Sequence, residues 1–134
     1  MVDALRRARQ WVTDAGCILD LHPTAAAALV LVGHLVGGEV DNGNAMDRHQ
    51  AATDAISAAV RDRLFTLQSS TEFDYDVYAD SLEELQQHIH DEWREGHIGD
   101  MTFANSQKLL RAEPTQKPRV RERVSASRLV PVII

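Results

Sequence analysis

The chain has 134 residues, a length suited to one domain around one core, so residues 1–134 are expected to fold as a single unit. It is 44% hydrophobic and 25% charged, which excludes extensive disorder, and only 5% aromatic, which points to an aliphatic, alanine-rich core. Fourteen basic against twenty acidic residues leave a net charge of −6, which repels phosphate backbones and speaks against a nucleic-acid partner.

Cys17 is the only cysteine, so neither an intramolecular disulfide nor a cysteine-based zinc site can form. The longest apolar run, near residues 25–36, is broken by Gly33 and His34 and is too short to span a bilayer. Arg6, Arg7 and Arg9 stand near the N-terminus without an apolar stretch behind them, so no signal peptide is expected. With no targeting signal read, a cytoplasmic location is taken by default, and no membrane partner is expected.

Residues 2–14 read as a helix, with Val2, Leu5, Ala8 and Val12 on one stripe and Trp11 widening it. Gly16 supplies a stop. Residues 17–21, Cys17-Ile18-Leu19-Asp20-Leu21, then form a nearly continuous apolar run that suits a strand covered on both faces. Pro23 and Thr24 end it. A strand over 28–32 and a second over 35–40 follow, with Gly33 or the Gly37-Gly38 pair turning the chain.

Asp41-Asn42-Gly43-Asn44 has turn chemistry, and Asn44 is placed to cap a helix running from 45 to 67. Ala52, Ile56, Ala59, Val60, Leu64 and Leu67 make its apolar stripe. Residues 71–79 alternate: Phe73, Tyr75, Val77 and Ala79 on one face, Glu72, Asp74, Asp76 and Tyr78 on the other. Ser81 and Glu84 have capping-box spacing and open a helix that buries Leu82, Leu85, Ile89 and Trp93. Asp100 can cap a last helix to Ala112, with Met101, Ala104, Leu109 and Leu110 inward. Residues 119–130 alternate again. Arg119, Arg121 and Arg123 share a face, and the pattern changes phase before Leu129, which predicts a bulge there. The acidic ridge of one strand complements the arginine ridge of the other, so the two are expected to pair antiparallel.

The order helix, strand, hairpin, helix, strand, helices, strand resembles the C-terminal half of class I S-adenosylmethionine-dependent methyltransferases. The resemblance rests on residues 4–23, ALRRARQWVTDAGCILDLHP, which look like the helix leading into that family's fifth strand. The family's Pro-Gly-Gly turn is here Asp14-Ala15-Gly16. The resemblance implies an α/β (α+β) fold: a small mixed sheet with packed helices, like half of a Rossmann-like methyltransferase fold. In the family the cofactor sits on a glycine-rich loop after the first strand and an acidic residue ending the second. Both would precede the segment present here, and no G-x-G turn follows a strand. No cofactor-binding residue carries over, and no cofactor is expected. The counterpart of residues 17–21 is flanked in the family by a fourth strand that this segment would lack. An exposed apolar edge there implies a homodimer or a heteromeric protein partner, unless the hairpin at 28–40 folds over it.

Two constellations could carry chemistry. Asp20 and His22, together with His34, are candidate ligand-binding residues, because ligands collect at the carboxyl ends of strands in open α/β sheets and an Asp–His pair can orient an imidazole for base work. No nucleophile stands at a recognisable spacing from them. His88, His90, Asp91 and His97 are numerous enough for a metal but wrongly spaced on a helix: His88 and His90 point to opposite sides. No metal site is expected. Cys17 reads as an inert strand residue, and Trp11 and Trp93 as core or interface anchors. The function implied is a methyltransferase-like binding or interaction module without cofactor-dependent activity. A small ligand-binding protein or enzyme with its pocket at Asp20 and His22, and an accessory subunit of a separate methyltransferase, are the alternatives.

Overall fold

The computed structural model describes residues 2–133. Its elements run α1 (Val2–Trp11), β1 (Ile18–Pro23), β2 (Leu29–Val32), β3 (Leu35–Glu39), α2 (Ala45–Arg61), β4 (Phe65–Tyr78), α3 (Leu82–Glu92), α4 (Asp100–Ala112) and β5 (Pro118–Pro131). The fold class is α/β, as expected. The sheet, however, is antiparallel rather than mixed. Strand β5 pairs with β1, β2 and β4, and β3 pairs with β2. The described residues group into two compact units. Among residues 2–133, one comprises 2–25, 47–73 and 124–133; the other comprises Ala26–Met46 and Asp74–Arg123.

In the first unit, β1 pairs with the C-terminal part of β5 in unbroken register, from Ile18 opposite Leu129 to Pro23 opposite Val124. The expected bulge near Leu129 is therefore absent from this ladder. Burial explains the shifted pattern instead. Val120 is buried in one unit's cluster and Leu129, nine residues on, in the other's, so the residues that count as core change parity along a regular strand. The core of this unit is Leu5, Ala55, Ile56, Ala59, Phe65 and Leu129, with Val12, Ile18 and Leu64 packed against it. Helix α1 ends three residues earlier than expected, and Trp11 is 81% exposed rather than part of the stripe. The side chain of Val2 lies outside the described residues. Arg9 Nη2 donates to the Val132 carbonyl at 3.0 Å and ties α1 to the chain end.

Helix α2 also stops early, at Arg61 rather than at 67. Its end is a Schellman motif. Leu64 N–H reaches back to the Ala59 carbonyl at 3.0 Å, and Arg63 N–H to that of Val60 at 3.1 Å. The motif needs a left-handed residue, and Arg63 takes it with φ 60°. No glycine marks this stop, and Leu64 and Leu67 continue the helical spacing, so the pattern alone overran it. The released residues become the first part of β4.

In the second unit, the hairpin forms as expected. Gly33 (φ 62°) turns the chain, and β2 pairs with β3 across a register shift between Val30 and Leu31. The hairpin does not pair with β1; its strand β2 pairs with the N-terminal part of β5. Ala28, Val30, Val40, Leu82, Leu85, Ile89, Ile98 and Val120 form the core. Ser81 caps α3 by accepting from Glu84 N–H at 3.1 Å, while the Glu84 carboxylate reaches one residue further back, to Asp80 N–H at 3.0 Å. Helix α4 turns Leu110 toward the core as expected, but not Met101 or Ala104. Met101 is 80% exposed and Ala104 is also outside, while Ser106 is fully buried. Phe103 and Leu110 pack against the core, and the residues facing β3, Thr102 and Ser106, are small because that strand presents Gly37 and Gly38. A Cβ on Gly37 would collide with Ser106 Oγ, and one on Gly38 with Thr102 Oγ1.

The acidic and arginine ridges meet as predicted. Arg121 Nε and Nη2 bind the two Asp76 carboxylate oxygens at 2.8 and 3.0 Å, and Arg123 Nη1 binds Asp74 at 3.1 Å. Arg119, almost buried, places Nε 3.2 Å from Asp76 without hydrogen-bond alignment and lays its guanidinium 5.5 Å from the Tyr78 ring centre.

Two outcomes follow from these contacts. Replacing Arg63 by glycine relieves the left-handed strain of a side-chain-bearing residue and is expected to stabilise the protein by about 0.5–1 kcal/mol, read as a raised thermal midpoint. Asp76→Ala leaves the nearly buried Arg119 without its counter-charge and is expected to destabilise by on the order of 3 kcal/mol in chemical unfolding. The hydrogen bonds from Arg121 hold the Asp76 carboxyl below its usual value of 3.8. Its stabilisation is therefore present above that pH and lost as pH falls through the lowered value. The acid limb of the wild-type stability curve should flatten in the variant.

Candidate functional site

Strand β1 alternates by the ordinary period of two. Ile18, Asp20 and His22 lie on the face turned toward the core of the first unit, and Leu19 and Leu21 on the other. Two structures result from one strand.

On the inner face, His22 is buried and Asp20 is largely so. His22 Nδ1 lies 2.5 Å from Asp20 Oδ2, and His22 Nε2 lies 3.0 Å from Thr53 Oγ1 of α2. A carboxylate can only accept, so the short contact puts the proton on Nδ1. In the neutral ring Nε2 is then the acceptor, and Thr53 donates to it. Thr53 is itself exposed. Its hydroxyl also lies 3.4 Å from the His49 carbonyl oxygen one turn back, a longer and weaker contact. His49 Nδ1 donates to the Thr24 carbonyl at 3.2 Å and so ties α2 to the exit of β1. Burial lowers the His49 pKa from 6.5 against the opposing pull of that backbone bond, and the charges of Arg48 and His22 push the same way as burial.

Of the three candidate residues, Asp20 and His22 are brought together. His34 is not part of this group; it is exposed in the turn between β2 and β3, within the other unit. Thr53 was not anticipated. Its only sequence signal is a polar stripe, His49, Thr53 and Ser57, at four-residue spacing on an otherwise alanine-rich helix.

On the outer face, Leu19 is 67% and Leu21 61% exposed. This corrects the expectation of a strand covered on both faces: α1 and α2 contribute core residues on one side only. The two leucines line a shallow, mainly apolar cleft of about 260 Å³, together with Ser70, Ala126 and Arg128. The opposite backbone edge of β1 is the end of the strand order, with β5 on its one paired side.

Elsewhere, Asp91 accepts from Gln87 at 2.8 Å, and His97 lies 3.8 Å from Asp41, with which it also forms an isolated bridge. Among the described residues no group of three His, Cys, Asp or Glu side chains converges on a point that could hold a metal ion. No described helix is long and apolar enough to cross a membrane. The chain matches no known family model, no curated protein and no solved structure.

The lowered His49 pKa fixes the sign of a pH effect. The unfolded chain takes up this proton at a higher pH than the folded one. The stabilisation is complete above 6.5 and is lost as pH falls through the lowered folded value. The thermal midpoint should fall as pH is taken down through this range, and His49→Gln should make that slope shallower.

Proposed function

We propose that this chain is a methyltransferase-like half-fold that works as a protein-interaction module, with no cofactor-dependent activity of its own, and that it forms a homodimer through the outer edge of β1. The observation that carries the reading is the coincidence of an unpaired strand edge with two strongly exposed leucines on the same six-residue strand. Open edges template pairing with another strand, and exposed contiguous apolar surface adds the driving force. The relation to methyltransferases rests on the resemblance of residues 4–23.

A second copy is the occupant that fits. A two-fold axis across β1 pairs the strand antiparallel with itself, so every outward donor meets an outward acceptor. The Leu19 and Leu21 side chains of both copies then lie side by side on one continuous face. Pro23, which has no N–H, closes the edge and keeps the pairing short. The strand's own carboxylate, Asp20, is already matched with His22, so the net charge of −6 is not concentrated at the contact.

Light scattering on the eluting protein over a range of concentrations should give twice the chain mass of 14.9 kDa. Leu21→Lys puts a charge on the edge and should shift the protein to monomer while leaving its circular dichroism unchanged. A wild-type chain that stays monomeric at every concentration would sink the proposal. Calorimetric titration with S-adenosylmethionine is expected to give no heat.

A further inference from the structure

The inner face of β1 carries an arrangement that dimerisation does not use. We infer that Thr53 is an activated hydroxyl: Asp20 and His22 form a proton relay that lets Thr53 Oγ1 take an acyl group from an activated ester or thioester.

The geometry supplies each part. Asp20 Oδ2, 2.5 Å from His22 Nδ1, holds the proton on that nitrogen, which fixes the ring orientation and leaves the Nε2 lone pair on the side of Thr53. Nε2 stands 3.0 Å from Oγ1, within reach of the hydroxyl proton. His22 is buried, so its ring is held by contacts rather than by water, while Thr53 is exposed and open to a reactant. Carboxylate, imidazole and hydroxyl in this order form the grouping that activates nucleophilic hydroxyls on unrelated folds.

The step balances without any further reagent. Thr53 Oγ1 attacks the carbonyl carbon of the donor, and its proton passes to His22 Nε2. Asp20 stabilises the imidazolium that forms. The tetrahedral adduct collapses with cleavage of the bond to the alcohol or thiol leaving group, and His22 returns the proton to it. The products are O-acyl-Thr53 and a free alcohol or thiol. Thr53 lies in the middle of α2, where backbone amides are committed to the helix ladder. No pair of free amides is thereby offered to the developing oxyanion, so the relay suits capture of a reactive acyl group rather than rapid turnover.

The test uses p-nitrophenyl acetate on the full chain, followed by peptide mapping. Hydroxylamine removes ester-linked acetyl groups and separates them from amide-linked ones on Lys108, Lys117 or the N-terminus. Ser57, one turn along α2, is an internal control: its hydroxyl is also exposed but bonds only the Thr53 carbonyl, at 3.3 Å, among the described contacts. The expected result is hydroxylamine-sensitive acetyl on Thr53 and none on Ser57, with the rate at Thr53 falling about a hundredfold in His22→Gln. Asp20→Asn should also slow it, while His49→Gln should leave it within a few-fold. Acetylation of Ser57 and Thr53 alike, no ester at Thr53, or an unchanged Thr53 rate in a folded His22→Gln protein would each overturn the inference. Should His22→Gln fail to fold, the Thr53-to-Ser57 comparison in the wild-type chain still decides it.

Discussion

Strand β5 satisfies backbone hydrogen bonds for three other strands, β1, β2 and β4; without it β1 and β4 would present two open edges, and β2 would keep only its pairing to β3. A buried or half-buried backbone group without a partner costs as much as a lost hydrogen bond, so pairing to β5 is the condition on which the other strands exist. Its sequence meets that condition twice. In the second unit Val120 enters the core while Arg121 and Arg123 hold β4 through carboxylates on the neighbouring strand. In the first unit Leu129 enters the core, and β1 lies alongside in six consecutive pairs. Fourteen residues with no internal glycine and two terminal prolines keep this strand extended over its whole length.

The arginine ridge is more than surface decoration. Asp76 receives a bidentate contact from Arg121 and lies beside the nearly buried Arg119. Planar two-point contacts of this kind fix register as well as contributing energy. A slip by one residue would turn every arginine away from the acidic strand and point Val120 outward. Charge pairing and core burial thus select the same alignment.

These were also the features that sequence patterning could reach. Strand character over residues 71–78 and 119–130, opposite charges on the two polar faces and the Ser81 cap are local signals that survive into the structure, but the half-buried face expected for 71–79 does not: Phe73 and Tyr75 are exposed, and only Val77 and Ala79 pack against the core. The misses were of two kinds. Where a backbone event carries no residue signature, as at Arg63, the apolar spacing ran past the helix end. Where the partner was unknown, the inward face was misjudged: Met101 and Ala104 looked more apolar than Thr102 and Ser106, yet the glycine-bearing strand β3 admits only small inward contacts. The candidate site was legible by half. Asp20 and His22 stand two residues apart and so share one strand face by period alone. Thr53, 31 residues on, joins them only because α2 crosses that face, and His34 was included on residue type without any such geometric link.

The same period of two separates the two roles assigned to β1. Ile18, Asp20 and His22 point toward α2, and Leu19 and Leu21 point away from it. A side chain on one face can therefore be changed without entering the other. Charge at Leu21 acts on strand pairing and leaves the His22–Thr53 contact in place. An amide at position 22 breaks the relay and leaves the exposed leucines untouched. The two readings are physically independent although they share six residues, because they draw on different parts of the strand. Assembly uses its outward backbone edge and outer side chains; hydroxyl activation uses its inner ones. Pairing with β5 is what both require, since it alone sets which side chains face α2 and which backbone groups remain open.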